Sequence, residues 1–578
     1  MPDLRPLLGL GTLLVACGGG DGGVDAGGPD AGGEPDAYVD LSAPLFDPDR
    51  LLDIDIELAP ADWDALRLQT RSIFDVLGQS CLTAPAGSPF TYFPATVTID
   101  GVEVTQVGVR KKGFFGSLSS TKPSFKVDFG EYLPDREYAG LSKLTLNNAI
   151  SDPSLVKQCL GYRLFADAGI PSPRCNFARV SVNGLYLGIY VNVEAVGKKF
   201  LARHFADNDG NLYEGALSDF RPGWVETFEK KTNELDPDRG DLQAVTAALD
   251  QPDGELVAAL DPLVDLDRFY TFWAMELIVM HADGYARNTN NFFVYHDPTS
   301  GKFQFMPWGI DSILFPDGVL PWEAQRPPDQ VWAEGALAWR LYRYAETRPQ
   351  YLDRIEQMLD QVWDEPAILG EIDRMENLVD GYVPVAEAAG FASAVAGLRD
   401  FVSGRRATLE AALAAPPPDW TAPLRAPWCI DVLGDVSGVF ATTWDTLDDA
   451  DPFAAGTCTV DYNLPPLALA NVDGGATAGI STDNGMAAIN LVIITGATEA
   501  TIFHVETDPV RLQPDTTLQL DWTEASGYAV AIDFSTDPAT FTVIGLLGDG
   551  TLRLDSVGTN PGDPVTGFLD TSIYESIF

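Results

Sequence analysis

The sequence predicts an α+β body followed by an all-β, sandwich-like domain. Three observations predict it. From about residue 46 to 300, strand-like alternation is interleaved with helix signals. From about 262 to 415 the apolar spacing is mostly helical. Beyond Pro416-Pro417-Pro418, β-branched or apolar runs recur roughly every 10–15 residues with Asp, Gly and Pro between them.

In chain order, Leu52–Leu58 alternates as a strand does, and Pro60–Arg67 opens a helix with proline in its first turn. Ala95–Ile99 and Val102–Val109 flank Asp100-Gly101, a hairpin signal. In Ser124–Phe129 the residues Phe125, Val127 and Phe129 share one face, and Ser124, Lys126 and Asp128 the other. A helix starts after Ser151-Asp152-Pro153 and closes at Gly169, before Pro171. Val180–Val182 and Leu185–Val193 form a second hairpin around Asn183-Gly184. Phe269–Met280 is apolar around nearly its whole circumference, with Glu276 its only charge, so it reads as a buried helix. Helical character continues through Gly335–Tyr344 and Tyr351–Trp363 to Ala415. Strands follow at Ala488–Thr495, Ala500–Val505, Leu518–Trp522, Tyr528–Phe534 and Thr540–Leu546.

The start of the chain reads as an address. Leu7–Ala16 is an apolar run too short to span a bilayer, which needs about twenty residues. It ends in Leu14-Val15-Ala16-Cys17, which looks like a bacterial lipobox with Cys17 as the lipidated residue. The expected organisation is a lipoprotein signal peptide at 1–17, a Gly/Asp/Pro spacer at 18–45, the mixed domain at 46–415 and the β domain at 416–578. The expected location is the cell envelope, lipid-anchored to the outer membrane with the body in the periplasm or at the surface. Export permits disulfides. Cys429 and Cys458 share the C-terminal segment and are expected to pair. Of Cys81, Cys159 and Cys175 one stays free, and Cys81–Cys175 is the pairing expected.

Composition excludes several functions. The chain has 578 residues, 46% of them hydrophobic, with 12 Trp and 30 Phe, enough for packed cores. It carries 84 acidic against 37 basic residues, a formal charge of −47, which repels nucleic-acid backbones. The four His have no metalloprotease spacing, and neither Cys-x-x-Cys nor Gly-x-Ser-x-Gly occurs.

Two segments can carry chemistry. Val104–Val127 has no Asp or Glu but holds Arg110, Lys111, Lys112, Lys122 and Lys126 around Gly113 and Gly116. Glycines admit close approach to a phosphate, and the cations neutralise it. The second runs from His281-Ala282-Asp283-Gly284 through Asn288, Asn290 and Asn291 to Pro307-Trp308-Gly309-Ile310-Asp311. Kinases present a catalytic Asp, a metal-binding Asn and a metal-binding Asp in this order.

Together with Lys122-Pro123-Ser124-Phe125-Lys126, Leu144-Thr145-Leu146-Asn147-Asn148, Val182-Asn183-Gly184 and Gly188–Glu194, these runs resemble the CotH kinase family, which has an atypical protein-kinase-like fold. The resemblance covers about residues 50–400. It implies transfer of the ATP γ-phosphoryl group to Ser or Thr of an envelope or surface protein, with Mg²⁺ or Mn²⁺. The charge leaves no nucleic-acid partner expected, and the lipobox a membrane contact only through the lipid. By position, Asp283 matches the catalytic Asp, and Asn291 the metal-binding Asn, with Asn288 as the alternative. Lys126 suits the phosphate-binding Lys and Glu194 its carboxylate partner. Arg110, Lys112 and Lys122 would lie around the phosphates. The family motif Trp-Asp-x-Asp has Gly309 at its first Asp, so Asp311 alone remains for the metal. Either Asp311 takes over, or the chain is a pseudokinase acting in adhesion or envelope assembly.

Overall fold

A computed structural model describes residues 40–78, 81–315, 328–449, 451–482 and 484–575. Cys17, the expected signal peptide and most of the expected spacer lie outside the described residues. The chain forms two compact units. Among the described residues, one lies within 40–70 and 82–427, the other within 71–81 and 428–575.

In the larger unit a first sheet comprises β1 (Leu51–Glu57), β2 (Phe93–Ile99), β3 (Val102–Lys112), β4 (Ser124–Asp128), β5 (Lys143–Asn147), β6 (Cys175–Val182) and β7 (Leu185–Val193). It closes as a barrel in the order β1-β2-β3-β4-β5-β7-β6, with β6 parallel to β1. Period-two alternation sends Val109, Phe125, Val127, Leu144 and Leu146 into the barrel core. Arg110, Lys126 and Thr145 are cross-strand partners in one row, so they share the opposite, outer face.

A second sheet, in the order β11-β10-β8-β9, contains β8 (Asn211–Gly215), β9 (Glu229–Lys230), β10 (Phe292–Asp297) and β11 (Lys302–Pro307). The helix Leu266–Ile278 is buried from Phe269 onward. It joins β10 and β11 and the helices Ala336–Arg343, Arg348–Gln361 and Ala388–Leu413 in one apolar core. The spacer ends earlier than expected. Leu45 and Phe46 are buried, and Asp40 pairs with Arg174 at 2.5 Å. The unit also ends later than the triple proline. Pro418 O, Ala422 O and Arg425 O accept hydrogen bonds from Tyr342, Trp339 and Arg221, which hold the chain to the larger unit up to Pro427.

In the other unit, nine strands among the described residues, from Val432–Thr443 to Pro564–Glu575, pair in a closed circuit. The all-β region is thus a barrel, and its interior is filled by side chains such as Phe440, Leu491, Phe503 and Ile573. The short helix Ile73–Leu77 belongs to this unit, with Phe74 against the Tyr574 ring at 4.6 Å.

The disulfides correct the expected pairing. Cys429 bonds Cys81, and Cys159 bonds Cys175. Cys458 is reduced and buried. It points into the core from a strand, while Cys429 precedes the first strand beside the Arg71–Cys81 segment, so the two cannot meet. Among the described residues no helix is long and apolar enough to cross a membrane. Two disulfides suit an oxidising compartment.

Candidate functional site

A cleft in the larger unit is lined on the barrel side by Lys112, Lys126, Lys143 and Thr145, and on the sheet side by Glu214, Lys231, Phe293 and Trp308. Leu141, Ser142, the run Glu194–Lys199 and Glu234 complete it. The lining thus holds six lysines (112, 126, 143, 198, 199 and 231) and three glutamates (194, 214 and 234). In a chain with a formal charge of −47 this is a local reversal of sign.

Lys126 is held well below the usual lysine range. Burial is the main cause, followed by repulsion from Lys143, Arg110, Lys231 and Lys112. Lys112 donates to Asn147 Oδ1 at 2.6 Å, and its ammonium lies 5.8 Å from the centre of the Trp308 ring. Trp308 packs edge-on against Phe293, and its backbone N–H donates to Asn291 O at 3.1 Å.

Beside the cleft lies the Asp283 loop. Glu276, fully buried, accepts the Tyr285 and Ala286 N–H groups at 2.8 Å each and so fastens the N-terminus of the short helix Tyr285–Asn288. Gly284 has no room for a side chain, since a Cβ would fall 2.1 Å from Glu276 Oε1. Asp219 braces the same helix through the Tyr285 hydroxyl at 3.1 Å. Thr289 and Asn291 then take left-handed backbone conformations. This costs little for Asn and more for β-branched Thr.

The outcome is an amide cage. Asn288 and Asn290 donate to Asp283 Oδ1 at 2.6 and 3.1 Å, and Asn291 donates to Oδ2 at 2.7 Å. Asp311 is buried and pushed up to about 6. Burial is the first cause, the charges of Asp152 and Asp283 add to it, and Lys112 opposes it. Lys112 therefore joins the cleft to the carboxylate group. Asp283, Asn288, Asn291 and Asp311 lie beside the cleft and are not part of its lining.

Three expected roles change. Glu194 lines the cleft, but the ion pairs that fix it are with arginines rather than with a lysine. Arg174 and Arg203 hold both of its oxygens. Arg110 does not line the cleft. Its guanidinium donates to Ser88 Oγ at 3.0 Å and to Lys111 O at 2.9 Å, over the Tyr92 ring. Lys122 lies away from it, over Tyr190 and 3.8 Å from Glu387. Lys143, Lys198, Lys199, Lys231 and Glu214 were not singled out from the sequence, although the lysine doublets 198–199 and 230–231 are signals in so acidic a chain.

Among the described residues no three His, Cys, Asp or Glu side chains converge as a metal-holding group. Asn oxygens would have to complete any set. Asn291 Oδ1 and Asp311 Oδ1 are both buried, and neither has a hydrogen-bond partner among the described residues. Oxygen ligands without partners are what a hard divalent cation takes, so this donor set fits Mg²⁺ or Mn²⁺.

Residues 109–409, just over half of the chain, match the family model described as CotH kinase protein. The chain belongs to the CotH family. The inner spore coat protein H of Bacillus subtilis (strain 168) is 25% identical over 275 residues, 45% of this chain and 74% of that protein. The crystal structure of a Helicobacter pylori proinflammatory kinase, CtkA, is similar at 11% identity, covering 53% of this chain and 96% of that one. Its TM-score is 0.29, at which the likeness carries no argument. The CotH match spans the barrel from the end of β3, the second sheet and the helical core, and so contains every residue that lines the cleft. CotH membership suggests a kinase-like function, with ATP and a divalent cation as the expected ligands.

Proposed function

We propose that this CotH chain is an exported, lipid-anchored protein kinase that transfers the ATP γ-phosphoryl group to Ser or Thr of an envelope or surface protein. The observation that carries the reading is the lysine-lined cleft, a cationic site in an acidic chain, with Lys112 acting on Asp311, which in turn feels the charge of the caged Asp283. Lys126 and Lys112 bind the phosphates. Asp283, oriented by Asn288, Asn290 and Asn291, accepts the proton of the acceptor hydroxyl. Asn291 and Asp311 would hold Mg²⁺ or Mn²⁺. When bound, that cation neutralises charge on the transferring phosphoryl group.

One observation favours a second reading. Gly309 stands where the family motif has a metal carboxylate, which supports a pseudokinase that acts by binding. ATP binding and autophosphorylation by the chain, beside Asp283→Ala and Asp311→Ala, separate the two. Metal-dependent phosphate incorporation abolished by both substitutions is expected. Binding without incorporation would select the pseudokinase, and neither binding nor incorporation would leave only family membership.

A further inference from the structure

The cleft has a cation that the phosphate reading above does not use. Lys231 follows β9 and lines the cleft from the sheet side, whereas Lys126 lines it from the barrel. The Lys231 ammonium lies 2.7 Å from Glu229 Oε1 and 3.2 Å from Glu214 Oε2. Glu214 is on β8, paired in register with Phe293 of β10, so the strand fixes its place in the wall. Its other oxygen, Oε1, is buried and has no hydrogen-bond partner among the described residues. Both contacts are ion pairs, and Lys231 Nζ makes no hydrogen bond among the described residues, so its N–H donors are available to an anion in the cleft.

A lysine held by a carboxylate and presented to a polyphosphate is the arrangement phosphoryl-transfer sites require. We infer that Lys231 is a further phosphate ligand, gripping the polyphosphate from the sheet wall opposite Lys126, and that Glu214 is the residue that positions it. The inference rests on the nucleotide reading of the cleft and deepens it. The mutual repulsion of Lys126 with Lys231, Lys112 and Lys143 supports it, because an arriving polyphosphate relieves that repulsion.

The test titrates inorganic tripolyphosphate and Mg-ATP separately into the full chain and into Lys231→Met, Lys231→Arg and Glu214→Gln, with thermal melting alongside. Loss of a charge-assisted contact weakens tripolyphosphate binding by roughly ten- to a hundredfold in Lys231→Met. Lys231→Arg, which keeps the charge, restores most of it, and Glu214→Gln weakens binding several-fold. A merely structural Lys231 would lower the melting temperature without this dependence on charge. Unchanged tripolyphosphate affinity in Lys231→Met overturns the inference and leaves the nucleotide reading standing. Binding of tripolyphosphate but not of ATP, lost in Lys231→Met, upholds the clamp and overturns the kinase. Failure of the unaltered chain to bind either anion overturns both.

Discussion

Asn291 donates its side-chain amide to Asp283 Oδ2 at 2.7 Å, and its own buried Oδ1 has no hydrogen-bond partner among the described residues. One residue thus orients the carboxylate and offers an oxygen to a cation. Asn291→Ala is expected to cost both functions. Mn²⁺-dependent ATP binding should weaken at least tenfold, while Asn290→Ala, which removes only a donor to Asp283, should leave the metal dependence in place. Calorimetry at several Mn²⁺ concentrations decides, and equal effects of the two substitutions would sink the dual role.

The Asp311 carboxyl, pushed up to about 6, gives a pH prediction with a definite sign. Its native pKa lies above the unfolded value, so the folded state binds its proton more tightly. The ionised group therefore destabilises the metal-free protein above about pH 6, and the penalty fades as pH falls towards 4. Asp311→Asn should then stabilise the chelator-treated chain at pH 8 by on the order of 2 kcal/mol, and by little at pH 4.5. The same substitution should abolish metal-dependent activity. Denaturant melts at the two pH values test this, and destabilisation at pH 8 would contradict the assignment.

Gly309 has φ +52°, in the left-handed region. Asp visits that region more readily than most residues, whereas a β-branched side chain is strained there. Gly309→Asp should fold with a cost of roughly 1 kcal/mol and bind Mn²⁺ more tightly. Gly309→Val should lose stability by about 1–3 kcal/mol with no gain in binding. If Gly309→Asp leaves Mn²⁺ affinity unchanged, the absent carboxylate is not what limits the site.

Non-reducing peptide mapping should recover Cys81 joined to Cys429 and Cys159 joined to Cys175. Cys458 should resist alkylation until the protein is unfolded, because it is buried and its thiol is pushed up to about 11 by that burial. A peptide joining Cys429 to Cys458 would refute the pairing. Removing the Cys159–Cys175 bridge, which spans 16 residues, should cost about 3 kcal/mol.

Glu276 shows how a feature can be legible while its role is not. The sequence marks it as the one charge in an apolar helix. Only the fold brings it to the Tyr285 and Ala286 amides. Glu276→Ala would leave those buried donors unpaired and should destabilise the chain by about 2–4 kcal/mol, read from chemical denaturation. A loss under 1 kcal/mol would mean that the loop is held by other contacts.

The sequence by itself determined the mixed body, the all-β end, the outward placement of Lys126 and the Asp283–Asp311 series. These depend on local periodicity and on motif order, which a chain carries along its length. Only the tertiary structure decided which charges meet. Glu194 joins Arg174 and Arg203, Lys231 joins Glu214 and Glu229, and Cys81 finds Cys429 at a separation of 348 residues. Such pairings depend on strand register and closure of the sheets. A long-range contact leaves no trace in the spacing of either partner, because the intervening chain can bring any two distant residues together.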